Sequence, residues 1–500
     1  RDWSSDVCSS DLYGAYTENG AVSHATTGAA LVDYFAKSAT YRKRSLEAVF
    51  ADMGALWAES PLITLQQVFY LRMITRRTQG LFASSSVQRG QGARDEFRKC
   101  LHWLAKYQPR ALSANLWLVP VVGVWKDLWH SDLIAVLPRE QVYALVQRGL
   151  ADEYNSALLA KYLPKIRSRS QVFNERHRQL NDFAYGLCRF LGWTERQYRL
   201  FKSSGAAHEF QQIMSENLWD LLDFSRISGK ALFQLANRRG KDGKTTLERH
   251  GLEQRFAQWL DTQPVAKFTG YVYELYQAVK SKMSGIQRSV IDKQFLGLIE
   301  LATQQTGGIS GNVWCALDTS GSMQEKVVGN ITAYDICISL GVYFASLNTG
   351  AFHNNVIMFD NTSRVLQLKG ASFTDRIRKI QQTRTAWGST NFQSVIDEIV
   401  RIRNAQPSIP VEDYPTTLLV VSDMQFNPVK GNAKTNYEAA MQALAAVGLP
   451  RMRIVWWYVT ARGKDFPATI GDEGVVMIGG FDGSIVSLLL SGKQSTIDQT

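Results

Sequence analysis

Residues 315–324, CALDTSGSMQ, bring an apolar run to a stop on an aspartate, Asp318, and then offer two hydroxyls, Ser320 and Ser322, with only small residues between. A carboxylate and two hydroxyls at alternate positions on a strand end can hold a hard cation. Mg²⁺ needs an octahedron of hard oxygens and keeps several waters, so few protein charges suffice. The same residues could instead cap a following helix, because Ser and Thr accept hydrogen bonds from the first N–H groups of a helix. A phosphoryl-accepting aspartate is disfavoured, since no second acid follows Asp318 at short spacing.

A second chemistry-bearing pattern is cationic. Residues 161–202 carry ten Lys or Arg against three acids, interleaved with Tyr162, Phe173, Phe183, Tyr185, Phe190, Trp193 and Tyr198. A further cluster, NRRGKDGK, spans 237–244. Basic side chains neutralise phosphates and aromatics stack unpaired bases, which makes Lys161, Lys165, Arg167, Arg169, Arg176, Arg178, Arg238, Arg239, Lys241 and Lys244 the candidate RNA contacts. The plain alternative is a solvated helix face with its aromatics in the core.

No catalytic constellation emerges. His102, His130, His177, His208 and His250 stand alone. GKDGKTT, at 240–246, contains Gly-Lys-Thr, but a phosphate-binding loop would need glycine where Arg238 stands and a strand where the pattern is helical. The expectation is a protein that is not an enzyme. Cys8, Cys100, Cys188, Cys315 and Cys337 are scattered singly, which argues against a zinc site or a disulfide framework and fits a reducing cytoplasm.

These residues must be positioned by two kinds of architecture. The chain has 500 residues with 45% hydrophobic content, enough for several domains. Its net charge of +11 is lopsided: residues 1–310 hold 40 Lys and Arg against 29 Asp and Glu, residues 311–500 hold 16 of each. From residue 29 to about 302 apolar positions recur every three or four, punctuated by Pro61, Pro109, Pro120, Pro138, Pro164 and Gly192, as in an array of short helices. The WKDLW segment reads as packing: Trp125, Leu128 and Trp129 share a helical face, with Lys126 and Asp127 pointing away. The most apolar stretch, 115–125, is broken by Pro120 and too short for a membrane span.

Past a Gly-rich linker at 303–312 the pattern changes. β-rich runs at 313–318, 355–360, 416–423 and 453–459 alternate with helical stretches at 331–347, 391–404 and 436–447, predicting a doubly wound α/β domain over 313–492. Ligands of such sheets sit at the carboxyl ends of strands, where Asp318, Asp360 and Asp423 all fall. Residues 1–12, RDWSSDVCSSDL, read as a translated sequencing adaptor, 13–302 as the basic helical domain and 493–500 as a tail.

A strand ending in Asp-x-Ser-x-Ser within this domain resembles the von Willebrand factor A domain and its metal-ion-dependent adhesion site. The resemblance implies a threonine from a second loop, WGSTNF, which is Thr390, and an aspartate from a third, VSDMQF, which is Asp423. It implies Mg²⁺ or Mn²⁺ on Asp318, Ser320, Ser322, Thr390 and Asp423, with a coordination position left for an acidic partner. A basic helical array followed by such a domain resembles the Ro autoantigen family, the TROVE-module proteins, and more closely a Ro-like family of unknown function in bacteria, phages and large viruses. The residues carrying this are TENGAVSHATTGAALVDYF, GVWKDLW, KYLP, DTSGSM, WGSTNF and SDMQF. The resemblance implies HEAT-like helical repeats and a scaffold for small non-coding or single-stranded RNA.

Overall fold

The structure is a computed structural model that describes residues 13–73, 91–205, 209–266, 268, 270–306, 309, 312–349, 351–368, 370, 372–383, 387–429 and 434–483. The segment 1–12 with Cys8, His208, part of the linker 303–312 and the tail 493–500 lie outside the described residues. The chain forms two compact units: Lys43–Asp223, and the residues up to Arg42 together with those from Phe224 onward. This division differs from the one read at 303–312. The described residues up to Arg42, and the helices between Phe224 and Thr306, group with the sheet rather than with the first helices.

The Lys43–Asp223 unit is built from helices. Their ends are written locally: Ser45 and Ser60 accept from Ala48 and Ile63 N–H, Pro61 opens Pro61–Arg72, Asn174 caps Glu175–Leu191, and Gly192 closes that helix at φ 66°. Arg94–Tyr107 buries Phe97, Cys100, Leu101 and Leu104, an apolar stripe at three and four spacing. Trp125, Leu128 and Trp129 are buried as expected. Asp127 does not point away: it is 0% exposed, because Trp125–Asp127 forms a 3₁₀ turn that directs its carboxylate inward. There Oδ2 accepts from Arg72 Nε at 2.8 Å and Val124 N–H at 3.1 Å, and Oδ1 accepts from Arg98 Nε and Nη2 at 3.0 and 2.7 Å.

The other unit carries a six-stranded mixed sheet. Its strands are β3 (Val313–Asp318), β6 (Asn355–Phe359), β7 (Ser363–Gln367), β8 (Thr417–Ser422), β9 (Arg453–Tyr458) and β10 (Val475–Gly479), preceded in the chain by the hairpin β1 (Tyr13–Tyr16) and β2 (Val22–His24), with a small ladder β4 (Lys326–Val328) and β5 (Ile331–Thr332) after β3. The order is β10-β9-β8-β3-β6-β7, parallel throughout except for β7, which runs antiparallel to β6 at one edge. β3 and β8 are buried at every position, which is why they read as unbroken apolar runs. The fold supplies β7, β10 and both small ladders, none of which was read in the sequence.

Both sheet faces are covered. On β9, Trp456 packs against Phe392 and Phe426, whereas Trp457 meets Phe344 of the helix Ala333–Leu347, as alternation along a strand requires. Ala333–Leu347 is buried almost all round, lying against β3 and against the helix Val272–Val279. Gly341 permits the close approach: a Cβ there would sit 2.4 Å from Leu317. Ala30–Ser38 lies on β10, and a Cβ at Gly479 would meet the Ala36 carbonyl at 2.1 Å.

Candidate metal centre and basic clusters

Three loops converge at the carboxyl ends of β3 and β8. Asp318 is the last residue of β3 and 0% exposed. Its Oδ1 accepts from Ser320 N–H at 2.9 Å and its Oδ2 from Ser422 Oγ at 2.5 Å. The Ser320 and Ser322 hydroxyls lie 3.1 Å apart. The first loop is tied to the second by Gly321 N–H donating to the Gly388 carbonyl at 2.9 Å. The second is tied to the third by Asn427, whose N–H donates to the Thr390 carbonyl at 2.8 Å and whose Nδ2 donates to Ser389 Oγ at 2.7 Å. Asp360 braces the second loop through its backbone, its carbonyl accepting from Asn391 N–H at 2.9 Å.

The electrostatics are those of acids held close together away from water. Burial first, and Asp423 second, push the Asp318 carboxyl well above the usual carboxylate range, against the opposing hydrogen bonds from Ser422 and Ser320. Burial also raises Asp423, which the Ser322 hydroxyl and Gln425 N–H partly oppose. Two oxygens here, Thr390 Oγ1 and Asp423 Oδ2, are buried with no hydrogen-bond partner. Buried polar atoms without partners are uncommon and call for an explanation such as an ion. Two carboxylates and three hydroxyls, two of whose oxygens are orphaned, match what a hard divalent cation requires. Among the described residues no three His, Cys, Asp or Glu gather anywhere, so a cation here would depend on hydroxyls and water as much as on carboxylates.

Sequence reasoning missed several neighbours. Ser422, next to Asp423, clamps Asp318; the doublet in VSDMQF was the available signal. Cys337, on Ala333–Leu347, points its Sγ at the Val421 carbonyl at 3.3 Å, and burial raises its thiol pKa well above the ordinary value, leaving a packing thiol. The turn between β1 and β2 also reaches the third loop. Thr17 Oγ1 donates to the Phe426 carbonyl at 2.6 Å, Glu18 N–H to Gln425 Oε1 at 2.6 Å, and Asn19 Nδ2 to the Gln425 carbonyl at 2.5 Å. Glu18 pairs with Arg462 at 2.5 Å, beside Asp423. No local pattern could have announced contacts across more than 400 residues.

The candidate RNA contacts fall in both units. In Lys43–Asp223, Lys161, Lys165, Arg169, Arg176 and Arg178 are exposed and Arg167 is half-buried. Of the interleaved aromatics, Phe183 and Tyr198 are core residues, whereas Phe173 is 78% exposed. Arg238, Arg239, Lys241 and Lys244 belong to the other unit, on an exposed loop closed by an Arg239–Thr245 bridge and by Arg249 Nε and Nη2 donating to Asp242 at 3.0 and 2.9 Å. A helix, Gly229–Asn237, precedes this loop. No helix among the described residues is long and apolar enough to cross a membrane.

Residues 313–500 match a domain of unknown function, DUF7788, and residues 17–147 match a second, DUF2828. An uncharacterized protein of Acanthamoeba polyphaga mimivirus is 23% identical over 529 aligned positions, covering 96% of this chain and 85% of that protein. Among solved structures, the crystal structure of the Deinococcus radiodurans RO (RSR) protein matches with a TM-score of 0.48 at 14% identity, over 93% of this chain and 99% of that one. The chain is thus similar along nearly its whole length to a giant-virus protein, and its two ends match two separate domains of unknown function.

Proposed function

We propose that this protein is a non-enzymatic, Ro-like scaffold that binds small non-coding or single-stranded RNA through its helical region and uses a Mg²⁺ or Mn²⁺ site to engage an acidic protein partner. The observation carrying the RNA reading is the row of cations from Lys161 to Arg178, exposed except for half-buried Arg167, in which the one acid, Glu175, pairs with Arg178 alone at 3.0 Å. Cations so placed replace condensed counterions on a phosphate backbone, and affinity then falls steeply with salt. If all six of Lys161, Lys165, Arg167, Arg169, Arg176 and Arg178 contact single-stranded RNA, the log–log slope against salt is roughly −4. Titrating a small structured RNA and a single strand against salt, with and without EDTA, tests this. Steep binding indifferent to EDTA supports it; no binding, or a flat salt response, overturns it.

The metal reading rests on the orphaned Thr390 Oγ1 and Asp423 Oδ2 beside Asp318, Ser320 and Ser322. Those five residues would hold the cation, which when bound would act as an electrophile for a partner carboxylate. Ser422 fixes the rotamer of Asp318, and Asn427 fixes the backbone at Thr390, so the protein orients the donors before any ion arrives. A purely metal-dependent interaction module without RNA binding is the second reading. It is favoured if partner capture is lost with chelator or in Asp318→Ala while no RNA binds.

A further inference from the structure

The Lys43–Asp223 unit contains a cleft of about 850 Å³ whose chemistry is more specific than a basic face. Its walls come from the end of Glu153–Tyr162, the connection 163–174 and the helix Glu195–Ser204. Lys161, Lys165, Arg167, Arg199 and Lys202 line it, and among the described residues no acidic side chain does. Of these, Arg199 is engaged by Glu195 at 2.6 Å, and Lys202 Nζ donates to the carbonyls of Ala160 and Lys161 at 2.8 and 3.1 Å.

Arg167 is the residue that stands out. Its backbone is fixed on both sides by Asn181, which accepts from Arg167 N–H at 3.0 Å and donates to its carbonyl at 2.9 Å. Its guanidinium Nη1 is nevertheless buried with no hydrogen-bond partner. A desolvated cationic donor without an acceptor is costly, and an anion in the cleft would relieve it. Burial, with repulsion from Lys165 and Lys126, lowers the Lys202 ammonium to about 8, so the cations here crowd one another.

At the rim stands Phe173, 78% exposed, its ring edge-to-face with His177 at 6.0 Å between centroids. The His177 ring accepts from Phe173 N–H at 3.3 Å, which fixes the relative placement of the two rings. An exposed aromatic face beside a cationic hollow suits a base stacked over a phosphate. The opposite wall is a tight seam: a Cβ at Gly205 would lie 2.8 Å from the Ala160 carbonyl carbon.

We propose that this cleft binds a single nucleotide through a terminal phosphomonoester, with the phosphate on Arg167, Lys165 and Lys161 and the base against Phe173. The phosphomonoester belongs either to an RNA end or to a free nucleoside monophosphate. A phosphomonoester carries up to two charges and an extra acceptor oxygen, which an internal phosphodiester does not, so the pocket discriminates ends from interior. The inference deepens the RNA-binding reading and stands apart from it, because a free nucleotide can occupy the cleft even if RNA does not.

The test uses the full chain and short single-stranded RNAs of one sequence with a 5′-phosphate, a 3′-phosphate or hydroxyl ends, followed by fluorescence anisotropy. Adenosine and uridine monophosphate and inorganic phosphate are titrated separately by calorimetry. One phosphorylated end is expected to bind roughly tenfold tighter than the hydroxyl-ended strand, the scale of one stacked base or a charge-assisted contact. Arg167→Gln and Phe173→Ala should each collapse the ratio of phosphate-ended to hydroxyl-ended affinity to within about twofold, whatever either does to hydroxyl-ended binding, and Phe173→Ala should keep the wild-type melting temperature, since Phe173 is exposed and contributes little to the core. Competition by the free monophosphates at equal affinity assigns the ligand to free nucleotides; preference for the RNA end assigns it to RNA. Equal affinity for phosphate and hydroxyl ends with no calorimetric binding of monophosphates overturns the proposal. Inorganic phosphate binding as tightly as a nucleotide overturns the assignment to a nucleotide. Nucleotide binding without RNA binding sinks the scaffold reading and leaves the pocket standing.

Discussion

Replacing Asp127 by Ala should be among the most damaging single changes in the Lys43–Asp223 unit. Its carboxylate is the shared acceptor of Arg72, itself 2% exposed, and of Arg98, and it also holds the Val124 N–H. Removing it leaves the Arg72 guanidinium buried with its charge uncompensated, and burial already lowers that group's pKa despite Asp127. Breaking a buried pair by deleting one partner costs about 3–5 kcal/mol, set against a total of about 5–15 kcal/mol for a typical domain. Asp127→Asn keeps the shape and some hydrogen bonds but not the charge, so it should fall between wild type and Ala. Adding Arg72→Met to Asp127→Ala removes the stranded cation, and the double variant should recover about 1–3 kcal/mol relative to additivity. Urea denaturation with hydrogen exchange read on peptides from 94–107 and 118–130 places the loss in this unit. A cost below about 1 kcal/mol for Asp127→Ala, or strict additivity in the double variant, would refute the reasoning.

Three further outcomes follow from the sheet-bearing unit. Lys37 is 4% exposed, with Nζ donating to the Asp465 carbonyl at 2.8 Å, and burial, against Asp465 and Asp33, lowers its pKa to about 8. Between pH 8 and its unfolded value near 10.4 the unfolded chain holds a proton the native chain lacks, so stability gains on the order of 3 kcal/mol as pH rises; the wild-type minus Lys37→Met difference should climb across that window, and parallel curves would count against it. Gly388→Ala would place a Cβ 2.3 Å from Asn361 Nδ2, displacing the side chain whose Oδ1 accepts from Ser389 N–H at 2.8 Å; calorimetry should show a loss of about 1–3 kcal/mol. Thr390→Val should leave apo stability near wild type, because Oγ1 has no partner to lose, yet diminish the rise in melting temperature produced by millimolar Mg²⁺.

What the sequence made legible was what is written locally or in unbroken runs. VWCALD and TTLLVVSD announced central strands because both of their faces are buried, and the helical stretches read at 331–347 and 436–447 coincide with Ala333–Leu347 and Asn436–Ala446. β7 was hidden because an edge strand with Ser363, Arg364 and Gln367 lacks an apolar pattern. Asp127 was misplaced because a 3₁₀ turn does not keep helical faces, and its partners Arg72 and Arg98 are distant in sequence. The grouping of residues 13–42 with the sheet depends on pairings such as His24 with Phe466, which spacing cannot encode.

That last pairing also sets an order of events during synthesis. The hairpin turn at Thr17–Asn19 finds its partners at Gln425 and Phe426, and Ala30–Ser38 finds its seat on β10. At ribosomal speeds of about 5–20 residues per second, the first folded-in segment waits on the order of 20–90 s for the last strand. Lys43–Asp223, continuous in sequence, can fold while that wait is in progress. Until β10 emerges, the amphipathic segment 30–38 is a free apolar end that a chaperone or a neighbouring nascent chain can capture, so translation rate is itself a determinant of how much chain reaches the folded state.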